Sequence, residues 1–214
     1  MKKFYAVIVV SISLCAVLPA EIPLAGGLIF ELDASKQKEA REAASLPPVG
    51  NRQPFDFFLN TAPGAVGIAS QPIPERRPLF VSDETAAYFQ FDGQDDFLTS
   101  AMQIKPAAEL TVFVLAAPKS NSGPFTGIFA TAAPGRNDYT SGLNLDLGPL
   151  ATKELSVLNV ESAGATGFRD LLVPGFFNAA ERPFGDFHVF TVRTRVGKTG
   201  TETFLDGFKG GERG

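Results

Sequence analysis

The chain has 214 residues and a formal charge of −4, with 20 phenylalanines, three tyrosines, no tryptophan and a single cysteine. That length carries one sizeable all-β domain or two small ones, with a substantial core. Basic clusters interleaved with aromatics are absent, which argues against a nucleic-acid partner. A lone cysteine excludes an internal disulfide framework and a multi-thiolate metal site.

Lys2 and Lys3 precede the apolar run Phe4 to Leu18, and Leu18-Pro19-Ala20 ends on a small residue. This is the layout of a secretory signal peptide over residues 1–20. The run is shorter than the roughly 20 residues of a spanning helix, and Pro19 ends it. The expectation is export to the periplasm, cell surface or medium, with no membrane association after cleavage. Cleavage would remove Cys15 and both lysines, leaving 17 basic against 23 acidic side chains, a charge of −6. Residues 21–214 are expected to form a single domain.

Gly26 to Leu32 reads as a first strand. Ser35 then caps a short surface helix over Lys36 to Ala44, with Ala40, Ala43 and Ala44 as a thin apolar stripe. Leu46 to Arg77 is rich in Pro, Gly and Asn and reads as a long loop with one short strand, pinned by Phe55, Phe57 and Phe58. Strands are expected at Pro78 to Ser82 and Ala86 to Asp92. In the latter, Ala87, Phe89 and Phe91 share one face and Tyr88, Gln90 and Asp92 the other. Asp92-Gly93 supplies a turn, and Asp96 to Thr99 is expected to return as the neighbouring strand.

Leu110 to Ala117 is apolar on both faces, the pattern of a strand at a sheet centre. Gly127 to Thr131 and Gly142 to Leu147 follow; in the latter Leu143, Leu145 and Leu147 oppose Asn144 and Asp146. Glu154 to Glu161, Asp186 to Val196 and Thr201 to Asp206 complete the set. Short strands separated by turns, without helical alternation, predict an all-β fold: a two-sheet antiparallel β-sandwich with one short surface helix.

The order of these pieces resembles the concanavalin A-like, or laminin-G-like, jelly-roll domains of bacterial exported proteins. Leu28-Ile29-Phe30-Glu31-Leu32-Asp33-Ala34 is similar to their "L-x-x-W-L-D-A" strand. Phe91-Asp92-Gly93-Gln94-Asp95-Asp96-Phe97-Leu98 resembles their "F-D-G-x-D-D-x-L" hairpin, and Leu110 to Lys119 their central "x-T-V-F-V-V-x-x-P" strand. Phe187-His188-Val189-Phe190-Thr191-Val192 resembles "W-H-x-V-A-V", and Phe204-Leu205-Asp206-Gly207 the "x-V-D-G" turn. Phenylalanine stands at Phe30 and Phe187 where that family usually has tryptophan. Family members continue for two or more strands beyond the last turn. The resemblance therefore implies a shortened or truncated C-terminus, with an open sheet edge through which copies could associate.

Two places carry candidate chemistry. Asp92, Asp95 and Asp96 crowd one bend, and hard oxygen ligands suit calcium, which some members of the resembled family bind near such loops. The alternative is that the aspartates bond their own turn. Arg136, Asn137, Asp138 and Tyr139 follow a Pro-Gly pair and could grip a polar ligand such as a sugar. His188, the only histidine, reads as a structural group within an apolar strand. The two-carboxylate spacing E-x-D-x-x-E of glycosidases on this fold is missing: Glu31 and Asp33 are followed by Lys36. No G-x-S-x-G elbow or phosphate loop occurs.

The expected function is non-catalytic: an exported recognition or adhesion module that binds a carbohydrate or a surface protein through its loops. It requires no cofactor, calcium at the acidic bend aside. Two alternatives stay open. One is a structural envelope component without a small ligand. The other is a divergent glycan hydrolase, which would need two carboxyl groups roughly 5–9 Å apart in one cleft.

Overall fold

A computed structural model describes residues 7–8, 28–101, 109–162, 171–172, 183–195 and 200–213. The described chain is mostly antiparallel β-strand, with few and short helices. It divides into two compact units, one ending near Lys105 and the other beginning there. The strands lie in four sheets. Apart from Val7–Ile8, the segment expected to be a signal peptide lies outside the described residues.

The first unit contains β1 (Val7–Ile8), helix α1 (Gln37–Ala43), β2 (Gln53–Pro54), β3 (Phe57–Leu59), β4 (Ile68–Ser70), β5 (Leu79–Ser82) and β6 (Ala87–Gln90). One sheet runs β1-β6-β5-β2, and β3 and β4 pair separately. Ala87, Phe89 and Phe91 are buried while Tyr88, Gln90 and Asp92 are half-exposed, as the alternation required. The stretch 46–77 is more ordered than a loop. It holds three short strands, because Phe55 and Phe58 are fully engaged: their rings stack at 4.0 Å, and Phe58 meets Phe89 at 3.9 Å. Phe80 closes the cluster at 5.8 Å from Phe55. Ring pairs of this kind add to the burial of the rings themselves.

Helix α1 occupies its expected place but turns a different face inward. Gln37 and Arg41 are buried, whereas Ala40 is half-buried and Ala43 and Ala44 are exposed. Gln37 donates from Nε2 to the Leu59 carbonyl (2.9 Å) and accepts the Leu59 N–H at Oε1 (2.8 Å), so its amide extends the β3 ladder. Arg41 donates to the Pro47 carbonyl and lies 5.0 and 4.6 Å from the Phe55 and Phe57 ring centres. Leaving buried peptide groups unpaired costs about 1–3 kcal/mol each, more than an alanine methyl gains. Ser35 is not the cap. Its N–H and hydroxyl both donate to Asp33 Oδ1, and the helix starts after Lys36.

Three strand expectations shift for the same kind of reason. Over its described part, Leu28–Leu32 is not a strand: one backbone bond, Thr61 N–H to the Glu31 carbonyl, joins it to the neighbouring segment, and the Asn60 side chain makes the others, accepting the Glu31 N–H at Oδ1 and donating from Nδ2 to the Ile29 carbonyl. Asp96 to Thr99 does not return beside β6, because its backbone is taken elsewhere: the Phe97 N–H donates to the Arg76 carbonyl at 3.3 Å. It runs instead to a single bridge between Thr99 and Ser70. Glu154 to Leu158 is irregular, with Leu155 and Leu158 buried three residues apart.

The second unit contains β7 (Glu109–Ala116), β8 (Gly127–Thr131), α2 (Asp138–Ser141), β9 (Leu143–Asp146), β10 (Asn159–Ser162), β11 (Leu171–Leu172), β12 (His188–Arg195), β13 (Thr201–Leu205) and β14 (Phe208–Arg213). Its sheets run β11-β10-β9-β8 and β14-β13-β12-β7. Leu143, Leu145 and Val160 of the first sheet are buried, with Leu147 and Leu158 just beyond its strand ends, as are Val114, Phe190, Val192 and Leu205 of the second. Among the described strands β7 lies at the edge of its sheet, not at the centre its two apolar faces suggested.

The phenylalanine cluster sets the stability of the first unit. Phe58→Ala is expected to lower its unfolding free energy by about 3–5 kcal/mol. Exposed Phe97→Ala should shift it by no more than about 0.5 kcal/mol. Denaturant titration of both variants reads the difference.

Candidate functional site

The alternation of β9 divides the β8–β10 sheet into an apolar and a polar face. Leu143 and Leu145 point to the buried side, so Asn144 and Asp146 must point away from it. The register then sets Glu161 of β10 opposite Asn144, and Asn159 opposite Asp146. On the other flank Ala130 faces Asn144 and Gly127 faces Asp146, with a bulge around Ile128. Bulges of this kind re-aim side chains beside sites. Gly142 lets β9 start directly beneath β8, since a Cβ there would collide with the Thr131 carbonyl.

A groove of about 550 Å³ lies over this polar face. Phe125, Ile128 and Phe129 line it with apolar surface; Asp138, Asn144, Asp146 and Glu161 line it with carboxylates and an amide. Asn144 Nδ2 donates weakly to Glu161 Oε2 at 3.4 Å. Asp146 is deeply buried: its Oδ1 accepts the Gly148 N–H at 2.7 Å and its Oδ2 the Asn159 amide at 3.0 Å. Diagonal neighbours on antiparallel strands are about 7–8 Å apart, which is the spacing expected for Asp146 and Glu161. Phe125 stands at the rim with φ of +52° and is 48% exposed. A bulky residue in the left-handed region costs about 1–3 kcal/mol and is concentrated at functional sites. Its N–H is tied to the Gly148 carbonyl at 2.8 Å.

Of the residues expected to grip a ligand, Asp138 lines this groove. Arg136 and Asn137 precede α2 without lining it, and the Tyr139 side chain lies outside the described residues. Asn144, Asp146 and Glu161 were not foreseen as a site. The β9 alternation had already set Asn144 and Asp146 on one face, but the pairing that brings Glu161 to them is a tertiary fact.

The acidic bend belongs to the first unit. Its three aspartates bring carboxylate oxygens within 4.8 Å of one another. Asp92 Oδ1 accepts the N–H groups of Gln94, Asp95 and Asp96 at 2.8, 3.3 and 3.4 Å. Asp96 Oδ2 accepts the Asp92 N–H at 2.8 Å, and Asp95 pairs with Arg76 at 3.2 Å. These bonds account for the turn. Proximity of oxygens alone does not make an ion site, so calcium remains a matter for titration: heat on adding it to chelator-treated protein would establish it, and no heat would remove it.

His188 is buried on β12. Its Nδ1 lies 2.9 Å from Asp206 Oδ2, while Nε2 is buried without a hydrogen-bond partner. Asp206 also accepts the Val189 N–H at 2.9 Å, so one carboxylate fastens the β13–β14 turn to β12. With no second imidazole in the chain this is a structural clasp.

Comparison with family models, with curated proteins and with solved structures found no match.

Burial pushes the Asp96 carboxyl up to about 6; repulsion from Asp92 and Asp95 adds to this and the Asp92 N–H opposes it. Folded protein therefore holds this proton more tightly than unfolded protein does. The resulting stability is full below about pH 4 and is lost as pH rises through about 6. Asp96→Asn keeps an acceptor for the Asp92 N–H and cannot ionise. It is expected to flatten that slope and to raise stability at pH 7.5 by ~0.5 kcal/mol after allowance for solvent screening. Chemical denaturation from pH 4 to 7.5 checks both.

Proposed function

We propose that this chain is an exported, non-catalytic recognition module of the concanavalin A-like jelly-roll type, and that the groove on the polar face of β8–β10 binds a carbohydrate. One observation carries the reading: a strained, half-exposed aromatic, Phe125, stands at the rim of a groove that is apolar on one side and lined by amide and carboxylate groups on the other. Sugars have the same two-sided chemistry. Their C–H faces lie against apolar rings, and their hydroxyls donate to carboxylates and amides. A volume of about 550 Å³ falls within the range of ligand sites.

The site is thereby moved from the end loops to a sheet face, and of the loop residues only Asp138 takes part. The antiparallel order of short strands with left-handed Asp206-Gly207 at a hairpin supports the jelly-roll reading of the fold. A surface protein is the other ligand class, and a structural envelope role requires the groove to stay empty.

A second reading rests on a specific feature. Three acids, Asp138, Asp146 and Glu161, share the groove, and a glycan hydrolase draws its facing pair from residues of this type. Against it, both oxygens of Asp146 are already committed to Gly148 and Asn159, leaving that carboxylate poorly placed to attack or to exchange a proton. Binding without turnover fits this better.

A panel of soluble neutral polysaccharides measured by calorimetry is expected to yield at least one ligand, with no reducing ends released. Phe125→Gly relieves the left-handed strain, at a cost of greater freedom in the unfolded chain. Stability should hold or rise by up to ~1 kcal/mol, while affinity falls at least tenfold. Blank glycan panels would turn the assignment to a protein partner or a structural role. Reducing ends released by the parent chain and lost in Glu161→Gln would turn it to hydrolysis.

A further inference from the structure

We propose that the open edge of β7 is a self-association surface, which pairs antiparallel with β7 of a second copy about a twofold axis at Phe113. β7 is eight residues long and forms the end of its sheet, paired on one side with β12 in an unbroken register from Glu109 to Ala116. Among the described residues, no backbone group meets it on the other side. Natural edge strands are usually protected by lysine, proline, a bulge or shortness. β7 has none of these: its sequence is Glu-Leu-Thr-Val-Phe-Val-Leu-Ala.

The burial pattern points the same way. Phe113 on the outer face is 49% exposed, and Leu110 and Val112 on the inner face are only half-buried, whereas Val114 and Ala116 are fully covered. A strand apolar on both faces is stable when a neighbour covers it. Among the described residues one neighbour is present and the other side is open.

Self-pairing suits this sequence because its alternation is preserved under the twofold. Directly opposed residues in an antiparallel pair share a face, so outer residues must meet outer residues. With the axis at Phe113, Phe113 faces its own copy, Thr111 faces Leu115, and on the inner side Val112 faces Val114. The charges also agree. Glu109 is the only charged side chain on β7. In this register it falls opposite Ala117 of the second copy and diagonal to Lys119; within its own chain Glu109 meets Arg193 at 3.4 Å, and the exposed Lys119 ammonium bonds the Gly185 carbonyl at 2.9 Å. Opposite charges therefore meet twice by symmetry, and like charges do not. Such an isologous contact closes on itself and yields a dimer rather than a fibre.

The test uses the full chain with Cys15→Ser, so that an introduced cysteine is the only thiol. Light scattering across a concentration series is expected to show a monomer–dimer equilibrium. Phe113→Lys should weaken it at least tenfold without a change in circular dichroism or melting temperature, since Phe113 lies on the exposed face. Under mild oxidation Phe113→Cys should give mostly disulfide-linked dimer, because opposed Cβ atoms are about 4.5–5.5 Å apart, close to bridging distance. Thr111→Cys should give little, because it faces Leu115. A monomer at every concentration, or equal cross-linking from both positions, would overturn the proposal. So would a dimer indifferent to Phe113→Lys.

Discussion

The second unit depends on the burial of one face of β9. Leu143, Leu145 and Leu147 are each almost fully covered, and at roughly 1.5–3 kcal/mol per buried leucine this outweighs any local preference of the residues between them. A strand cannot bury two adjacent residues on the same side. Asn144 and Asp146 are therefore driven to the opposite face, where β10 brings Glu161 and Asn159 to meet them. The groove is thus a by-product of core formation: the apolar half of the strand sets the position of the polar half.

Polar groups on that face meet different partners. Asp146 is fixed by a backbone N–H and an amide, so it orders β9 against β10 and the turn at Gly148. Asn144 donates to Glu161 at 3.4 Å. Phe125 extends the same arrangement to the rim, where backbone strain is borne by a bond to Gly148.

In the first unit the governing constraint is hydrogen bonding as much as burial. The four-phenylalanine cluster supplies the apolar core, yet the helix beside it presents glutamine and arginine, not alanine. Gln37 serves as a substitute peptide group for β3, and Asn60 does the same between Ile29 and Glu31. Short strands cannot satisfy all their neighbours through backbone alone, and long amides complete the ladder. Arg41 has aromatic faces and carbonyls around it, and its charge is stabilised by ring quadrupoles and peptide dipoles.

Period-two alternation made the all-β character, most strand positions and the inward faces of β6 and β9 legible in the sequence, because each follows from which side chains water excludes. The short helix was legible for its charge spacing, and the Asp-Gly bends for glycine's access to positive φ. Tertiary structure decided what lies beside what. Asp96 to Thr99 lost its expected place because Arg76 and Ser70 hold its backbone, and β7 lies at the edge of its sheet among the described strands although its composition suits a centre. The buried face of α1 was set by unpaired peptide groups on β3, which no helical pattern contains. Glu161 reached Asn144 only through the register of two strands separated in sequence by the loop after Gly148. Local pattern records how each residue relates to water; neighbours distant along the chain are chosen by the fold as a whole.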